Sequence, residues 1–323
     1  MKAKFIYQAC IIAFLFLMGC KSADKSIPVV GFVDAFEDAT ISKAREGFVD
    51  ALKKAGFSEE EKTVKILFRN AQGDIPTLTQ IVNYFISEKV ALIATNTTLS
   101  SITAIHRTKD IPIFMMVSPE PKRMDVLDTN GEAPANLFGV SESLSYIDTS
   151  FALIPQYIKP KGEKIVVGTV YNQSEPQSQD ALMRVEKMAS KLNMIVEAMP
   201  VNSSADVQLV TQSLLNKGID VFFANPDNTI FASFETILKN CDQKNVPIFT
   251  SEAGLVQRGA VAAFGADIYQ WGYQSGEQAA KFLKQGSPEG LKIELVKVRK
   301  RVYNPIVAKR YNLDFPSDFE AVE

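Results

Sequence analysis

Hydrophobic and polar positions follow two alternating periods along the chain. Apolar runs such as VVGFVD (29–34) and ALIA (91–94) have the length of buried strands. Each is followed by a segment with apolar residues four apart, such as Phe48 and Leu52, which is typical of a helix that packs on one face. Up to IPIFMMV (111–117) the order is βαβαβαβ, which predicts a parallel sheet with helices on both faces.

The same order returns in the second half of the chain. Gly168 in KIVVGTVYNQ corresponds to Gly31 in IPVVGFVDAF. Likewise, Ala224 in VFFANPDNT corresponds to Ala94 in ALIATNTT. Over four such landmarks the offset stays between 130 and 137 residues, too long for a solenoid repeat. We therefore predict an α/β protein of two similar doubly wound parallel-sheet lobes with a cleft between them.

The predicted lobes are discontinuous in sequence. The first is expected to comprise residues 27–141 and 253–287, and the second residues 142–252 and 288–323. The late stretch IELVKVRKRVYNPIV (293–307) predicts a final pair of strands.

The N-terminus differs from the rest of the chain. Two lysines precede an apolar run over 5–18 that is short for a membrane span but matches the core of a signal peptide. The run ends in LMGC (17–20), which resembles a bacterial lipobox. We predict that residues 1–19 are removed, that Cys20 is lipidated, and that 20–26 form a tether. The alternative is a retained signal anchor.

Composition excludes several classes of protein. The 323 residues carry a net charge of −2, which gives no basic surplus for nucleic acid. After export Cys241 is the only cysteine that is not lipidated, so no internal disulfide is expected. One histidine gives poor support for a His–Cys zinc site or a Ser–His triad, and no phosphate loop follows a strand. We expect no enzyme activity, cofactor or metal.

Polar and aromatic residues accumulate where the predicted strands end. Ligands bind at the carboxyl ends of the strands in open parallel sheets. The candidates in the first half are Phe32, Asp34, Phe36, Asn96, Thr97, Thr98 and Met116. The candidates in the second half are Tyr171, Glu175, Ser178, Asp227, Asn228 and Glu252.

These residue types predict a zwitterionic ligand. A helix start with free N–H groups and added hydroxyls suits a carboxylate. The hydroxyls would come from Thr97, Thr98 and Ser178. Asp227, with either Glu175 or Glu252, could accept hydrogen bonds from an ammonium group. The apolar wall would come from Phe32, Phe36, Met116 and Tyr171. Together they describe a site for an apolar or aromatic amino acid.

Each candidate also has a purely structural alternative. Thr97 or Thr98 can serve only as a helix N-cap. Asp227 and Asn228 can form a turn and a cap, and Glu252 can lie in a crossover turn. The polar surplus at matching places in both halves favours the ligand site.

Several motifs carry a family resemblance. They are NAQGD (70–74), NPDNT (225–229) and GADIYQWGYQSG (265–276). With the lipobox, they make residues 27–316 resemble the ABC-transporter substrate-binding proteins related to the tryptophan and tyrosine binder TrpX. The resemblance implies a periplasmic-binding-protein type I fold with three crossovers between its lobes. It also implies that Thr97, Thr98, Ser178, Asp227 and Asn228 line the cleft.

The function implied by the resemblance is ligand capture by hinge closure and delivery to a membrane permease. We expect a monomer, lipid-anchored on the periplasmic side of the bacterial cell envelope. The stretch EPQS (175–178) departs from the family pattern, so tryptophan itself is not implied. Alternatives are an envelope sensor of the same fold, a binder of nucleoside-like solutes, and a hydrolase that uses Asp34 and Glu252.

Overall fold

The structure, a computed structural model, describes residues 27–322. The predicted signal peptide (1–19), Cys20 and the tether (20–26) lie outside the described residues. The strands are β1 (Val29–Asp34), β2 (Lys65–Asn70), β3 (Leu92–Asn96), β4 (Ile113–Pro119), β5 (Leu137–Glu142), β6 (Val166–Asn172), β7 (Ile195–Val201), β8 (Val221–Ala224), β9 (Ile248–Thr250), β10 (Ala262–Ala266), β11 (Ile293–Leu295), β12 (Arg299–Tyr303) and β13 (Glu320–Ala321).

The helices lie between these strands, as the alternating periods predict. They are α1 (Ser42–Lys54), α2 (Ile75–Ser87), α3 (Thr98–Arg107), α4 (Ser145–Phe151), α5 (Ile154–Tyr157), α6 (Pro176–Lys191), α7 (Val207–Leu215), α8 (Asn228–Ala232), α9 (Phe234–Gln243), α10 (Ala253–Gln257), α11 (Ile268–Gln285) and α12 (Pro305–Arg310). Between residues 27 and 322, no helix is both long and apolar enough to cross a membrane.

Two sheets form two lobes, and the duplication predicted from the sequence is confirmed in their strand order. The first sheet runs β11-β5-β4-β3-β1-β2 and is parallel throughout. The second runs β13-β12-β10-β9-β8-β6-β7, with only the β10–β12 pair antiparallel. The order β4-β3-β1-β2 in one lobe corresponds to β9-β8-β6-β7 in the other.

Corresponding glycines allow the same close packing in both lobes. A Cβ on Gly31 would lie 2.6 Å from the ring of Phe85, and a Cβ on Gly168 would lie 2.4 Å from Ile219. Both distances are far below van der Waals contact. The shared glycine therefore lets a bulky side chain pack against the first strand of each copy, from α2 in the first lobe and from the loop before β8 in the second.

The first crossing between the lobes lies within one residue of its expected limit, and the other two lie elsewhere than expected. The three crossings follow Glu142, Ala266 and Leu295. Residues 253–266, expected in the first lobe, belong to the second, because β10 pairs with β9 and β12. The predicted final strand pair is wrong, since β11 joins β5 in the first sheet and β12 joins the second. A three-residue strand at a sheet edge gives too short a pattern to assign its partner.

Candidate ligand-binding site

The carboxyl ends of the strands in both sheets face a cleft between the lobes. A cavity of about 590 Å³ opens between them. Its first-lobe lining includes Phe36, Gln72, Ile75 and Leu99, and its second-lobe lining includes Asn172, Glu175, Asn202 and Thr229. Next to it, with Glu175 in both linings, lies a smaller inner space of about 10 Å³. It is lined by Val117, Tyr146, Glu175, Gln177, Pro226, Asp227, Asn228, Phe231 and Glu252.

The first-lobe rim is built around the N-terminus of α3. Thr97 is the N-cap residue, but its side chain does not cap the helix. Its hydroxyl and that of Ser100 are buried and have no hydrogen-bond partner among residues 27–322. The Thr97 backbone has φ 79° and ψ 163°, a region that favours glycine. The start of α3 therefore presents unused donors in a strained conformation.

Strain continues at the end of the neighbouring strand. Val117 has φ 52°, and the pairing of β4 with β5 shifts register between Met115 and Ser118. A bulge of this kind redirects side chains and is common beside binding sites. Here it exposes Val117 to the inner space, while Met116 accepts a hydrogen bond from the Thr97 N–H at 3.1 Å.

The second-lobe rim is built around Asp227, the N-cap residue of α8. Its carboxylate accepts hydrogen bonds from the backbone N–H of Ile230 at 3.0 Å and of Asn172 at 2.7 Å. The Ser178 hydroxyl also donates to it. Burial raises the pKa of Asp227 above its usual range, and these donors partly offset the increase. Asp227 is thus held firmly inside its own lobe.

Glu175 forms a second acidic group beside Asp227. Its carboxylate accepts hydrogen bonds from the Asn228 side chain at 2.8 Å, the Thr229 hydroxyl at 3.1 Å and the Asn172 side chain at 3.2 Å. Burial, reinforced by repulsion from Asp227, raises the pKa of Glu175 to about 7. A cation entering between the two carboxylates would lower both pKa values.

Two further carboxyl groups lie where the lobes join. Glu252 is 1% exposed, and burial raises its pKa well above the usual value, against a hydrogen bond from the Tyr146 hydroxyl. Glu142 ends β5, is also 1% exposed, and neither of its oxygens has a hydrogen-bond partner in the described part of the chain. Burial raises the pKa of Glu142 to about 7, although Arg299 and Arg184 attract its charge. The junction is therefore acidic and poorly compensated.

Several polar contacts among residues 27–322 join the two lobes across the cleft, including the following three. Each has one partner in the first lobe and one in the second. The Thr98 hydroxyl donates to the Gln177 amide oxygen at 2.5 Å. Arg123 pairs with Asp180 at 2.9 Å, and Arg258 pairs with Asp38 at 2.7 Å. These contacts hold the lobes in a closed arrangement.

Several predicted site residues are brought together at the cleft. Phe36 lines the outer cavity, and Thr98 hydrogen-bonds to Gln177, which lines the inner space. Those on the inner lining are Glu175, Asp227, Asn228 and Glu252. Thr97 lies beside Thr98, and its hydroxyl has no hydrogen-bond partner among residues 27–322. Whether each of them contacts a ligand remains a prediction.

Other candidates have structural positions away from the cavities. Phe32 and Met116, expected in the apolar wall, are fully buried in the core, and Phe32 packs on Phe48 with ring centres 5.5 Å apart. The expectation was wrong because helices cover both faces of the sheet, so apolar residues at a strand end still point into the core. Tyr171 is half-buried opposite Pro200 of β7 and lines neither cavity.

Three polar candidates act inside their own lobes. Asn96 donates to Asp34 at 2.7 Å, and Arg45 pairs with Asp34 at 3.3 Å, so Asp34 is already neutralised. Burial nevertheless raises the pKa of Asp34 to about 6. Ser178 is fully buried and donates to Asp227, so it supports an acidic group and does not offer a donor to the cleft.

The predicted site residues leave out six residues at the inner space or beside it. They are Val117, Glu142, Tyr146, Gln177, Pro226 and Phe231. Gln177 lies within the departing stretch EPQS (175–178), which was a usable signal. Glu142 ends β5 and Tyr146 lies in α4, within the segment SESLSY (141–146), whose polar pattern did not indicate that both side chains are buried.

Comparison with known proteins agrees with this architecture. The family model described as "ABC transporter substrate binding protein" matches residues 26–320. A tyrosine-binding protein of Clostridioides difficile (strain R20291) is 34% identical over 264 residues, which cover 82% of this chain and 75% of that protein.

Solved structures show the same fold. An ABC domain in complex with L-Trp from Streptococcus pneumonia has a TM-score of 0.80 at 22% identity, covering 90% of this chain and 97% of that one. A ligand-free, open substrate-binding protein with adhesive properties from Clostridium difficile scores 0.67 at 28% identity, with coverages of 92% and 100%. This chain belongs to the ABC transporter substrate-binding protein family.

Proposed function

We propose that this chain is the lipid-anchored solute-binding component of an ABC importer and captures an apolar or aromatic amino acid by hinge closure. The observation that carries the proposal is the opposite chemistry of the two rims. The first lobe offers the N-terminus of α3 with the unused hydroxyls of Thr97 and Ser100. The second offers buried carboxylates. A zwitterion between them satisfies both.

Among the carboxylates, Glu252 is the best candidate for the ligand's ammonium group. Asp227 and Glu175 already accept several hydrogen bonds within the second lobe. Glu252 lines the inner space, and its Oε2 atom has no partner within the described residues. Asp227 and Glu175 would then add negative potential around the ammonium without contacting it directly.

The outer cavity is the candidate pocket for the ligand's side chain. Phe36, Ile75 and Leu99 give it an apolar side, and about 590 Å³ is ample for an aromatic ring. The relative that is 34% identical is named for binding tyrosine, and the streptococcal structure contains L-Trp. Both names support an aromatic amino acid as the ligand.

Closure explains how binding could be signalled to a permease. Each lobe holds one charged end of the ligand, so only the closed form makes all the contacts. The three crossings after Glu142, Ala266 and Leu295 would act as hinges. Family membership places the chain outside the cytoplasm, and the lipobox at Cys20 supports an anchor. We expect the mature protein to be a monomer.

A binding screen tests this proposal. The chain without residues 1–20 should be melted with each of the twenty amino acids and with nucleosides, and hits measured by calorimetry. A ligand at 100 times its Kd adds about 2.7 kcal/mol to the free energy of unfolding. We expect hits among tyrosine, tryptophan, phenylalanine or the large aliphatic residues.

Blocked ligands and one variant pair sharpen the screen. N-acetylation or amidation of the best ligand should each weaken binding at least 100-fold, because each removes one charged end. Glu252→Gln should weaken it strongly, whereas the exposed Glu132→Gln should not change it. Equal binding of the N-acetylated ligand, or no response to any amino acid, contradicts the proposal.

A further inference from the structure

Gln177 is the one side chain of the second lobe that hydrogen-bonds to the start of α3, as far as residues 27–322 show. It lies in the first turn of α6, and its amide oxygen accepts the Thr98 hydroxyl at 2.5 Å. It also lines the inner space, of which only about 10 Å³ is left free. The carboxamide therefore fills the gap between the donor-rich rim and the carboxylates.

The group that Gln177 contacts is suited to a stronger partner than an amide. Thr98 is the first residue of α3, whose N-terminus has no side-chain cap. The Thr97 and Ser100 hydroxyls beside it are buried and, in the described chain, have no partner. A helix N-terminus with added hydroxyl donors prefers a full negative charge. A neutral amide oxygen satisfies only one of these donors.

We propose that Gln177 is a specificity-determining residue that acts as a placeholder for the ligand's carboxylate. In the unliganded closed form its amide oxygen accepts the hydrogen bond of the Thr98 hydroxyl, and the carboxylate of an incoming ligand has to displace this oxygen. This inference rests on the proposed function, because it takes the α3 N-terminus as the carboxylate site. Gln177 also limits the size of ligand that the inner space accepts.

The placeholder has a defined effect on affinity. Ligand enters the open form, so a contact that stabilises only the unliganded closed form competes with binding. A neutral hydrogen bond of this kind corresponds to roughly a 2- to 10-fold effect on an equilibrium constant. A contact that is kept in the liganded closed form has the opposite effect, since its removal weakens binding.

Asp180 provides a matched control on the same helix. It also crosses the cleft, pairing with Arg123 at 2.9 Å, but both side chains are partly exposed and neither lines a cavity. Its contact does not occupy the α3 N-terminus, so a ligand does not displace it. A substitution of Asp180 therefore tests the loss of a contact between the lobes, separately from the loss of the placeholder at Gln177.

The experiment compares Gln177→Ala, Gln177→Glu and Asp180→Asn in the chain without residues 1–20. Calorimetry at pH 8 with the amino acids found for the unmodified protein gives affinities, and small-angle scattering without ligand gives compactness. We expect Gln177→Ala to bind roughly 2- to 10-fold more tightly, most for the largest side chains. Gln177→Glu places a carboxylate at Thr98 and should bind at least 10-fold more weakly while staying compact without ligand. Asp180→Asn should bind equally or more weakly for all ligands alike.

Two outcomes overturn the placeholder. If Gln177→Ala weakens all ligands in the same proportion as Asp180→Asn, Gln177 is only a contact between lobes. The other is that Gln177→Glu and Gln177→Ala prove equally compact by scattering without ligand. In that case a carboxylate at position 177 stabilises the closed form no more than the absence of a side chain does. Scattering needs no ligand, so it tests Gln177 even where no amino acid binds and the proposed function itself fails.

Discussion

Thr97 and Asp227 occupy corresponding positions in the two copies of the fold, 130 residues apart. Each is the N-cap residue of the helix that follows the third strand of its lobe. Asp227 caps its helix and accepts two further hydrogen bonds, from Asn172 and Ser178. The Thr97 hydroxyl has none within residues 27–322. One duplicated position is thus saturated in the second lobe and open in the first.

The backbone repeats this contrast. Asp227 has φ −150°, an ordinary extended conformation, whereas Thr97 has φ 79°. A non-glycine residue in the latter region costs about 1–3 kcal/mol. The second lobe therefore carries a preorganised acidic rim, and the first carries a strained rim with free donors. Duplication supplied the same frame twice, and divergence of the caps gave the cleft two electrically opposite sides.

The largest expected effect comes from removing the side chain of Asp227. Asp227→Ala leaves buried donors of Asn172, Ser178 and Ile230 without their acceptor, and the free energy of unfolding should fall by about 3 kcal/mol. The proposed amino acid should no longer bind measurably. Chemical denaturation and calorimetry measure the two effects.

Asp242→Ala is the control for this variant. Asp242 pairs with Arg310 on the surface of the same lobe, where an exposed ion pair contributes little. Its stability should change by less than about 1 kcal/mol, with binding retained. Wild-type affinity in Asp227→Ala contradicts a role for the acidic rim.

The sequence was sufficient to predict the two-lobed fold and many of the residues at the two rims. Strand and helix periods, and an offset of 130 to 137 residues, predicted two copies of one sheet, which the strand orders confirm. The rim residues could be predicted because their polar clusters follow directly on apolar runs in the sequence. Asp227 and Asn228 on the inner lining are examples.

What the sequence could not give depends on how the lobes meet. Gln177 reaches Thr98 across 79 positions of chain, and this contact exists only in the closed arrangement. Glu142 is likewise buried where the lobes join, which its place in the sequence does not indicate. Phe32 was assigned to the wrong surface, because a fully buried strand has apolar residues on both faces and its pattern does not indicate which one meets the cleft.

The next largest effect concerns Glu142, which is buried where the two lobes join. The pKa of Glu142 is about 7, above its ordinary value of 4.5, so the folded protein keeps a proton that the unfolded chain releases. The contribution of Glu142 to stability is therefore present below pH 4.5 and is lost as the pH rises to about 7. The loss is at most about 3 kcal/mol.

Glu142→Gln should remove this loss. Its free energy of unfolding should match that of the wild type near pH 4.5 and exceed it by up to about 3 kcal/mol at pH 8. Glu175 and Asp34 titrate in both proteins and cancel in the difference, whereas the pKa of Glu252, raised by burial and also by the charge of Glu142, falls in the variant, which adds to the gain in stability. Denaturation curves from pH 4.5 to 8 measure it, with the exposed Glu132→Gln as control. A difference that is constant with pH contradicts a buried, titrating Glu142.

The smallest effect comes from relieving the backbone strain at Thr97. Thr97→Gly should relieve the backbone strain of 1–3 kcal/mol, less about 0.5–1 kcal/mol for the added flexibility of glycine, for a net gain of about 1 kcal/mol. Binding should weaken by roughly tenfold, because a hydroxyl donor to the ligand's carboxylate is lost. Thr98→Gly, at a helical position without positive φ, should lose stability instead. A Thr97→Gly protein that is more stable and binds equally well would reduce Thr97 to a strained cap, whereas gain in stability with loss of affinity shows that the strain is kept for the ligand.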